Sequence, residues 1–158
     1  MLGAIRQYQR AVPKLRRLSW REWRDLVAAQ LALLAAQVRV RTKAQGQLVA
    51  PESIKTSEAT SEPPPCQDGE AKALALAIRR AAFFGLFRPA CLVRSIALCR
   101  MLEGRGIRGS RVEVGVILRE GRFVAHAWVT LRGQVLSEDP GSVRHYESLP
   151  GVNVLHAD

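Results

Sequence analysis

The apolar positions change period once, near residue 110. Before it they suit helices, and after it they alternate as in strands. Ser19-Trp20-Arg21-Glu22 has the form of a capping box, with Ser19 at the N-cap and Glu22 at the third helical position. The spacing predicts a helix from there to about Arg41, with Leu, Val and Ala on a broad apolar face and Arg21, Arg24, Arg39 and Arg41 at polar positions. Trp20 and Trp23, three apart, share a face and are expected to be packing residues. Residues 70–88 are again helical in composition, Ala-rich with Leu74, Leu76, Ile78, Phe83 and Phe84, until Gly85 and Pro89 break the pattern. A further helix should open near Cys91 and end at Gly104 and Gly106. Val112, Val114, Val116 and Leu118 then alternate with other residues, which predicts a strand. Glu120-Gly121-Arg122 reads as a turn, 123–131 as a second strand, and Arg132-Gly133 as a turn into a third strand through Gln134-Val135-Leu136. The tail from Pro140 is irregular. Helices followed by a three-strand meander indicate an α+β domain with helices packed on an antiparallel sheet.

Between the first and second helices the composition changes abruptly. The run 56–65 is made of Thr, Ser, Glu, Ala and the three prolines Pro63, Pro64 and Pro65, too poor in apolar residues to build a core. The expected organisation is therefore a basic helical segment over 1–45, a mobile linker over 46–69 and a catalytic domain over 70–158. The full chain of 158 residues is 47% apolar but only 6% aromatic, so the core must be mainly aliphatic.

The formal net charge of +10 is uneven. Residues 1–43 hold ten Lys and Arg against Glu22 and Asp25, a net +8 that leaves +2 for the rest. Such a segment suits an anionic surface or an acidic partner. No nucleic-acid-reading motif accompanies it, so no nucleic acid is expected as partner. The most apolar stretch, 26–40, is broken by Gln30, Gln37 and Arg39 and is shorter than the roughly 20 residues of a spanning helix, so no transmembrane segment is expected. The first 18 residues carry five Arg or Lys and no continuous apolar run, so no secretory signal is expected either. Three cysteines without paired spacing argue against a disulfide framework, and no CxxC or HExxH motif suggests zinc. The expectation is a cytoplasmic protein with a free thiol and with no cofactor or metal.

Cys91 follows Pro89-Ala90 and opens a helix. A thiol there faces unsatisfied N–H groups and the positive end of the helix dipole, which favour the thiolate, and the same N–H groups can hold an oxyanion. Arg94, one turn on, adds positive charge. Cys99, between Leu98 and Met101, fits a buried structural cysteine, and Cys66 has no activating neighbours. His126 lies mid-strand between two alanines and shares a face with Val124, Trp128 and Thr130. Acidic residues on the next strand complete a nucleophile, base and orienting acid. The acid depends on the hairpin register. A two-residue Arg132-Gly133 loop sets His126 opposite Asp139, and a three-residue Leu131-Arg132-Gly133 loop sets it opposite Glu138. Two-residue loops prefer Asn-Gly or a leading Gly, so the turn chemistry favours the longer loop and Glu138. The shorter side chain of Asp139 is the usual choice for holding an imidazole.

The stretch Cys91-Leu92-Val93-Arg94-Ser95-Ile96-Ala97-Leu98, with Leu102, Gly106-Ile107, Gly115-Val116, Ala125-His126-Ala127-Trp128-Val129 and Gly133, resembles the transglutaminase-like B proteins of lasso peptide biosynthesis. The Leu18-Ser19-Trp20-Arg21-Glu22-Trp23 entry to a long helix resembles the N-terminal part of that family. The resemblance implies a transglutaminase-like, papain-like cysteine peptidase core. It implies a leader peptidase that cuts a precursor peptide between leader and core, before an ATP-dependent lasso cyclase joins the freed amine to a side-chain carboxylate. It also implies a separate leader-recognition protein as partner, because the chain is too short to contain one. The family has Asp twelve residues after the His; here Glu138 stands there and Asp139 follows. An amide hydrolase or acyltransferase on another substrate shares the same site chemistry. A non-catalytic basic adaptor is the reading from a different class.

Overall fold

The computed structural model describes residues 19–42, 49–50, 66–148 and 153–154. Among them the order is α1 (Trp20–Thr42), β1 (Val49–Ala50), α2 (Cys66–Phe84), α3 (Cys91–Gly104), β2 (Ser110–Arg119), β3 (Arg122–Leu131), β4 (Gln134–Val135), α4 (Pro140–Val143), β5 (Glu147–Ser148) and β6 (Asn153–Val154). One antiparallel sheet runs β4-β3-β2-β5, and β1 pairs with β6. The architecture is α+β, as the change of period indicates. Part of the stretch expected as linker is taken up by β1 and by the first turn of α2, while 56–65 lies outside the described residues, as do residues 1–18. The tail expected to be irregular supplies α4 and β5. No helix among the described residues is long and apolar enough to cross a membrane.

The capping box forms as the sequence spacing predicts. The Ser19 amide donates to Glu22 Oε2 at 2.9 Å and the Glu22 amide donates to Ser19 Oγ at 3.4 Å. The Ser19 amide and, next, Arg80 at 3.1 Å hold the Glu22 carboxyl below its usual range. Ala29, Leu33 and Ala36 then line the buried side of α1. They share one core with Ala71, Leu74 and Ile78 of α2, Val93, Leu98 and Leu102 of α3, and Val112, Val129 and Leu131 of the sheet. Burial of each leucine in this set stabilises the fold by about 1.5–3 kcal/mol. The tryptophans depart from expectation: Trp20 is 84% exposed and Trp23 44%. At 3.6 residues per turn both fall on the side of α1 away from Ala29, Leu33 and Ala36, together with the exposed Val27, Leu31, Leu34 and Val38. The helix turns Ala29, Leu33 and Ala36 to the core and both tryptophans to water.

The end of α3 is fixed by backbone and side chain together. Gly106 takes φ +71°, its N–H donates to Glu103 O at 2.8 Å, and the Ile107 N–H donates to Leu102 O at 2.9 Å. This is a Schellman closure, and Ile107 and Leu102 are both buried beneath it. Arg105, at the C-cap, reaches Asp25 of α1 and Glu70 of α2, each at 2.6 Å. One guanidinium thus ties all three long helices at one end, and Glu70, then Asp25, raise its pKa further.

Both β-turns are two-residue loops. Register pairs Arg119 with Arg122 across Glu120-Gly121, and Leu131 with Gln134 across Arg132-Gly133. The four loop residues have φ of 52°, 75°, 52° and 80° in chain order, as type I′ turns require. The expected three-residue loop Leu131-Arg132-Gly133 is therefore corrected. Glycine supplies only the second left-handed position, and Arg132 is held in the first by its surroundings. Its N–H donates to Gly109 O at 3.2 Å, and its guanidinium meets Gln67 at 3.0 Å and Asp68 at 3.5 Å. Replacing Arg105 with Ala leaves Asp25 and Glu70 without their shared cation. The expected outcome is a loss of about 1 kcal/mol in denaturant unfolding, seen as a lower midpoint at an unchanged slope.

Candidate active site

Strand β3 serves two faces. Ala127, Val129 and Leu131 join the core with the helices. His126, Trp128 and Thr130 alternate with them and take the opposite face. Their partners on β2 are Gly115, Glu113 and Arg111. On this face the Thr130 hydroxyl donates to Glu113 Oε1 at 2.9 Å. The Trp128 ring is inclined 25° to the imidazole at 6.3 Å, and Tyr146 stands 5.3 Å from it at 35°. Gly115 makes room for this cluster. A Cβ there would lie 2.7 Å from Trp128 Cη2 and 2.9 Å from Tyr146 Cβ.

The candidate acid is placed by the end of the ladder rather than by its continuation. The Leu136 N–H still donates to Val129 O at 2.9 Å. The Val129 N–H, however, donates to the Ser137 hydroxyl at 2.9 Å. With a side-chain oxygen as acceptor, the backbone is free to leave the sheet at Ser137. Glu138 then turns back to His126, its Oε1 lying 3.6 Å from Nε2. The same oxygen lies 3.7 Å from Arg94 Nη2. Asp139, which an unbroken two-residue-loop register would set opposite His126, is exposed and occupies the N-cap of α4. Its carbonyl accepts from the Ser142 amide at 2.9 Å and the Ser142 hydroxyl at 2.7 Å. Turn preferences thus favour Glu138 only through a three-residue loop that the protein does not use.

Cys91 is half-buried at the first position of α3. Ala90 is the N-cap, with extended backbone and no side-chain bond to the helix. Its carbonyl accepts the Arg94 N–H at 3.1 Å. The N–H groups before Arg94 have no side-chain cap. Cys91 and Arg94, three apart, project from one side of the helix. Arg94 and Glu138 therefore connect the turn that carries Cys91 to His126. Among the described residues, the thiol makes no hydrogen bond of its own to the imidazole. Cys99 is a different kind of thiol: burial pushes its pKa up to about 11, with the Ser110 hydroxyl opposing and Glu103 adding to the rise.

A family model described as the transglutaminase-like superfamily matches residues 32–150. The chain belongs to the transglutaminase-like superfamily. No curated protein and no solved structure gives a significant match. The transglutaminase-like region begins inside α1 and extends past β5, so it includes Cys91, His126, Glu138 and the C-terminal half of α1 with Leu33 and Ala36. Transglutaminase-like domains are commonly cysteine-type enzymes of amide chemistry.

Sequence reasoning singles out Cys91, His126, Arg94 and, as alternative acids, Glu138 and Asp139, of which only Glu138 lies beside His126. It missed Ser137, Tyr146 and the need for Gly115. Ser137 and Tyr146 lie where no periodicity marks a face, whereas the Gly115 signal was present: a glycine inside an alternating strand marks close approach. Gly115→Ala is expected to cost about 1–3 kcal/mol and to change the near-ultraviolet circular dichroism of Trp128, because the rings must move. In the native protein Cys99 is expected to resist alkylation at about pH 8 and to react on unfolding, as counted by mass.

Proposed function

We propose that the chain is a cysteine peptidase in which Cys91 is the nucleophile, His126 the acid–base group and Glu138 the orienting acid. The observation that carries this reading is the shared Glu138 oxygen, between His126 on β3 and Arg94 on the first turn of α3. Glu138 faces Nε2, which leaves Nδ1 as the nitrogen available to the thiol. Catalytic hydrogen bonds are often long in the free enzyme and tighten around substrate.

In the proposed reaction His126 takes the Cys91 proton, and the sulfur attacks the scissile carbonyl carbon. The imidazolium that forms lies against the Glu138 carboxylate. Uncapped N–H groups at the start of α3 donate to the developing oxyanion. His126 then returns the proton to the leaving amine as the C–N bond breaks. Water, deprotonated by His126, attacks the thioester, releases the carboxylate product and restores the thiol. A free thiol of this kind suits a reducing compartment, so the cytoplasm is the proposed location.

The proposed substrate is the precursor of a lasso peptide, cut between leader and core ahead of a cyclase. The motif from Cys91 to Leu98, the Ala125-His126-Ala127-Trp128-Val129 stretch and the tryptophan-bearing entry to α1 support it. A separate leader-recognition protein is the proposed partner. The direct assay is incubation with the precursor encoded beside its gene, with and without that partner, read by mass. Cleavage at one leader–core bond is expected. Transfer of the acyl group to an amine instead of water would assign an acyltransferase.

Cys91→Ala and His126→Ala are each expected to lower cleavage by at least about 100-fold while leaving circular dichroism unchanged. Normal turnover by either sinks the assignment. Glu138→Gln is expected to lose more rate than Asp139→Asn, since only the former faces the imidazole; the reverse order would return the orienting role to Asp139.

A further inference from the structure

A second recess lies beside the catalytic helix, between the C-terminal half of α2, the connection that follows it and the first turn of α3. It has a volume of about 470 Å³. That is within the range of small-ligand sites. Four arginines line it, Arg79, Arg80, Arg88 and Arg94, together with Phe83 and Phe84. Among the described residues no carboxylate does. Arg80 is matched by Glu22 at 3.1 Å and Arg94 by Glu138 at 3.7 Å, both from outside the recess. Arg79 and Arg88 are exposed and make no ion pair among the described residues. Among the described residues, therefore, the recess holds two cations without counter-charge.

Its wall is apolar. The Phe83 and Phe84 rings meet edge-on at 4.8 Å, and Phe83 remains 43% exposed. An occupant must offer a carboxylate to the guanidinium groups and an apolar group to the rings. Guanidinium and carboxylate match in a planar two-bond geometry. Position supplies the link to chemistry. Pro89, two residues before Cys91, and Arg94, one turn after it on α3, both line the recess, so it adjoins the turn that carries the nucleophile.

We propose that this recess is a substrate subsite that accepts an Asp or Glu side chain of the peptide next to an apolar residue. The proposal rests on the peptidase reading above, and it adds the class of side chain that the site selects. The carboxylate comes from a side chain rather than a chain terminus, since a subsite beside a scissile bond must take continuous peptide on its way to Cys91.

Binding tests it without turnover. The full chain carrying Cys91→Ala is immobilised and offered an amidated hexapeptide library randomised at two adjacent positions, and retained peptides are counted by mass. Asp or Glu beside Leu or Phe is expected to be retained about tenfold over Asn or Gln. Arg79→Glu combined with Arg88→Glu is expected to reverse the preference towards Lys and Arg, a gain that only a folded chain can show. Arg79→Lys with Arg88→Lys is expected to keep the acidic preference. Equal retention of acidic and amide peptides overturns the proposal. So does a preference that survives the double Glu change, or one seen only when the same library carries free C-terminal carboxylates. Thiol alkylation of the unaltered chain separates the two readings. A rapidly labelled Cys91 with no acidic preference sinks the subsite alone, and an acidic preference with an inert Cys91 sinks the peptidase alone.

Discussion

The register of β3 governs the rest of the molecule. On one face Ala127, Val129 and Leu131 close the core against the helices, and on the other His126, Trp128 and Thr130 form the candidate site and its support. A slip of one residue would exchange the two sets. It would drive an imidazole and an indole against Leu98 and Leu102, and expose the valine and leucine that now cover them. The chain excludes that slip at both ends of the strand with two-residue I′ turns. It adds a pin near the end of β3, the Thr130 hydroxyl on Glu113 of β2, a bond that a one-residue slip of β3 would break. Arg132 extends the same control to the helical layer, since the residue that makes the turn also holds Gln67 and Asp68 at the start of α2.

Placement of the candidate site depends on where that regularity stops. A longer β4 would hold Glu138 and Asp139 in alternation and set Asp139 opposite His126. Ser137 ends the ladder by giving the Val129 amide a hydroxyl in place of a carbonyl, at no loss of hydrogen bonding. Glu138 is then positioned by its partners instead of by strand geometry. Arg94 attracts it towards α3 and His126 towards β3. Both contacts are longer than a good charge-assisted hydrogen bond, so the carboxylate is shared rather than owned. A glutamate has the extra methylene this intermediate position needs, which gives a physical reason for the departure from the aspartate of the resembled family.

The sequence carried the fold well where periodicity was long and boundaries were chemical. The capping box of α1, the start of α3 at Cys91, its closure at Gly106 and the long hairpin could all be read, because each has a local cause. The side of α1 on which its tryptophans fall could not be read from their spacing alone. Trp20 and Trp23 share a face, but which face is buried was decided by Ala29, Leu33 and Ala36 meeting α2 and α3 across the chain. The Arg132-Gly133 loop failed for a related reason: turn preferences weigh the loop residues, while the left-handed arginine is held by Gly109, Gln67 and Asp68. Glu138 comes to face His126 although the loop is shorter than expected, because the ladder also ends sooner. Tyr146 had no local signal, since it approaches His126 only once α4 and β5 have folded back over the sheet.

The two helix starts in this chain contrast in a way that bears on the proposed chemistry. At α1, Ser19 and Glu22 satisfy the terminal amides reciprocally. At α3 the N-cap is alanine, which has no oxygen to offer. A Ser, Thr, Asn or Asp there is worth about 1 kcal/mol to a helix. Burial of Val93, Leu98 and Leu102 further along α3 more than offsets such a loss, so the helix can stand without a cap. A capping side chain would occupy the N–H groups nearest Cys91. Leaving them open keeps two or three donors, already oriented by the helix, for an oxygen that becomes negative only during reaction, and it does so one residue from the sulfur that would create that charge.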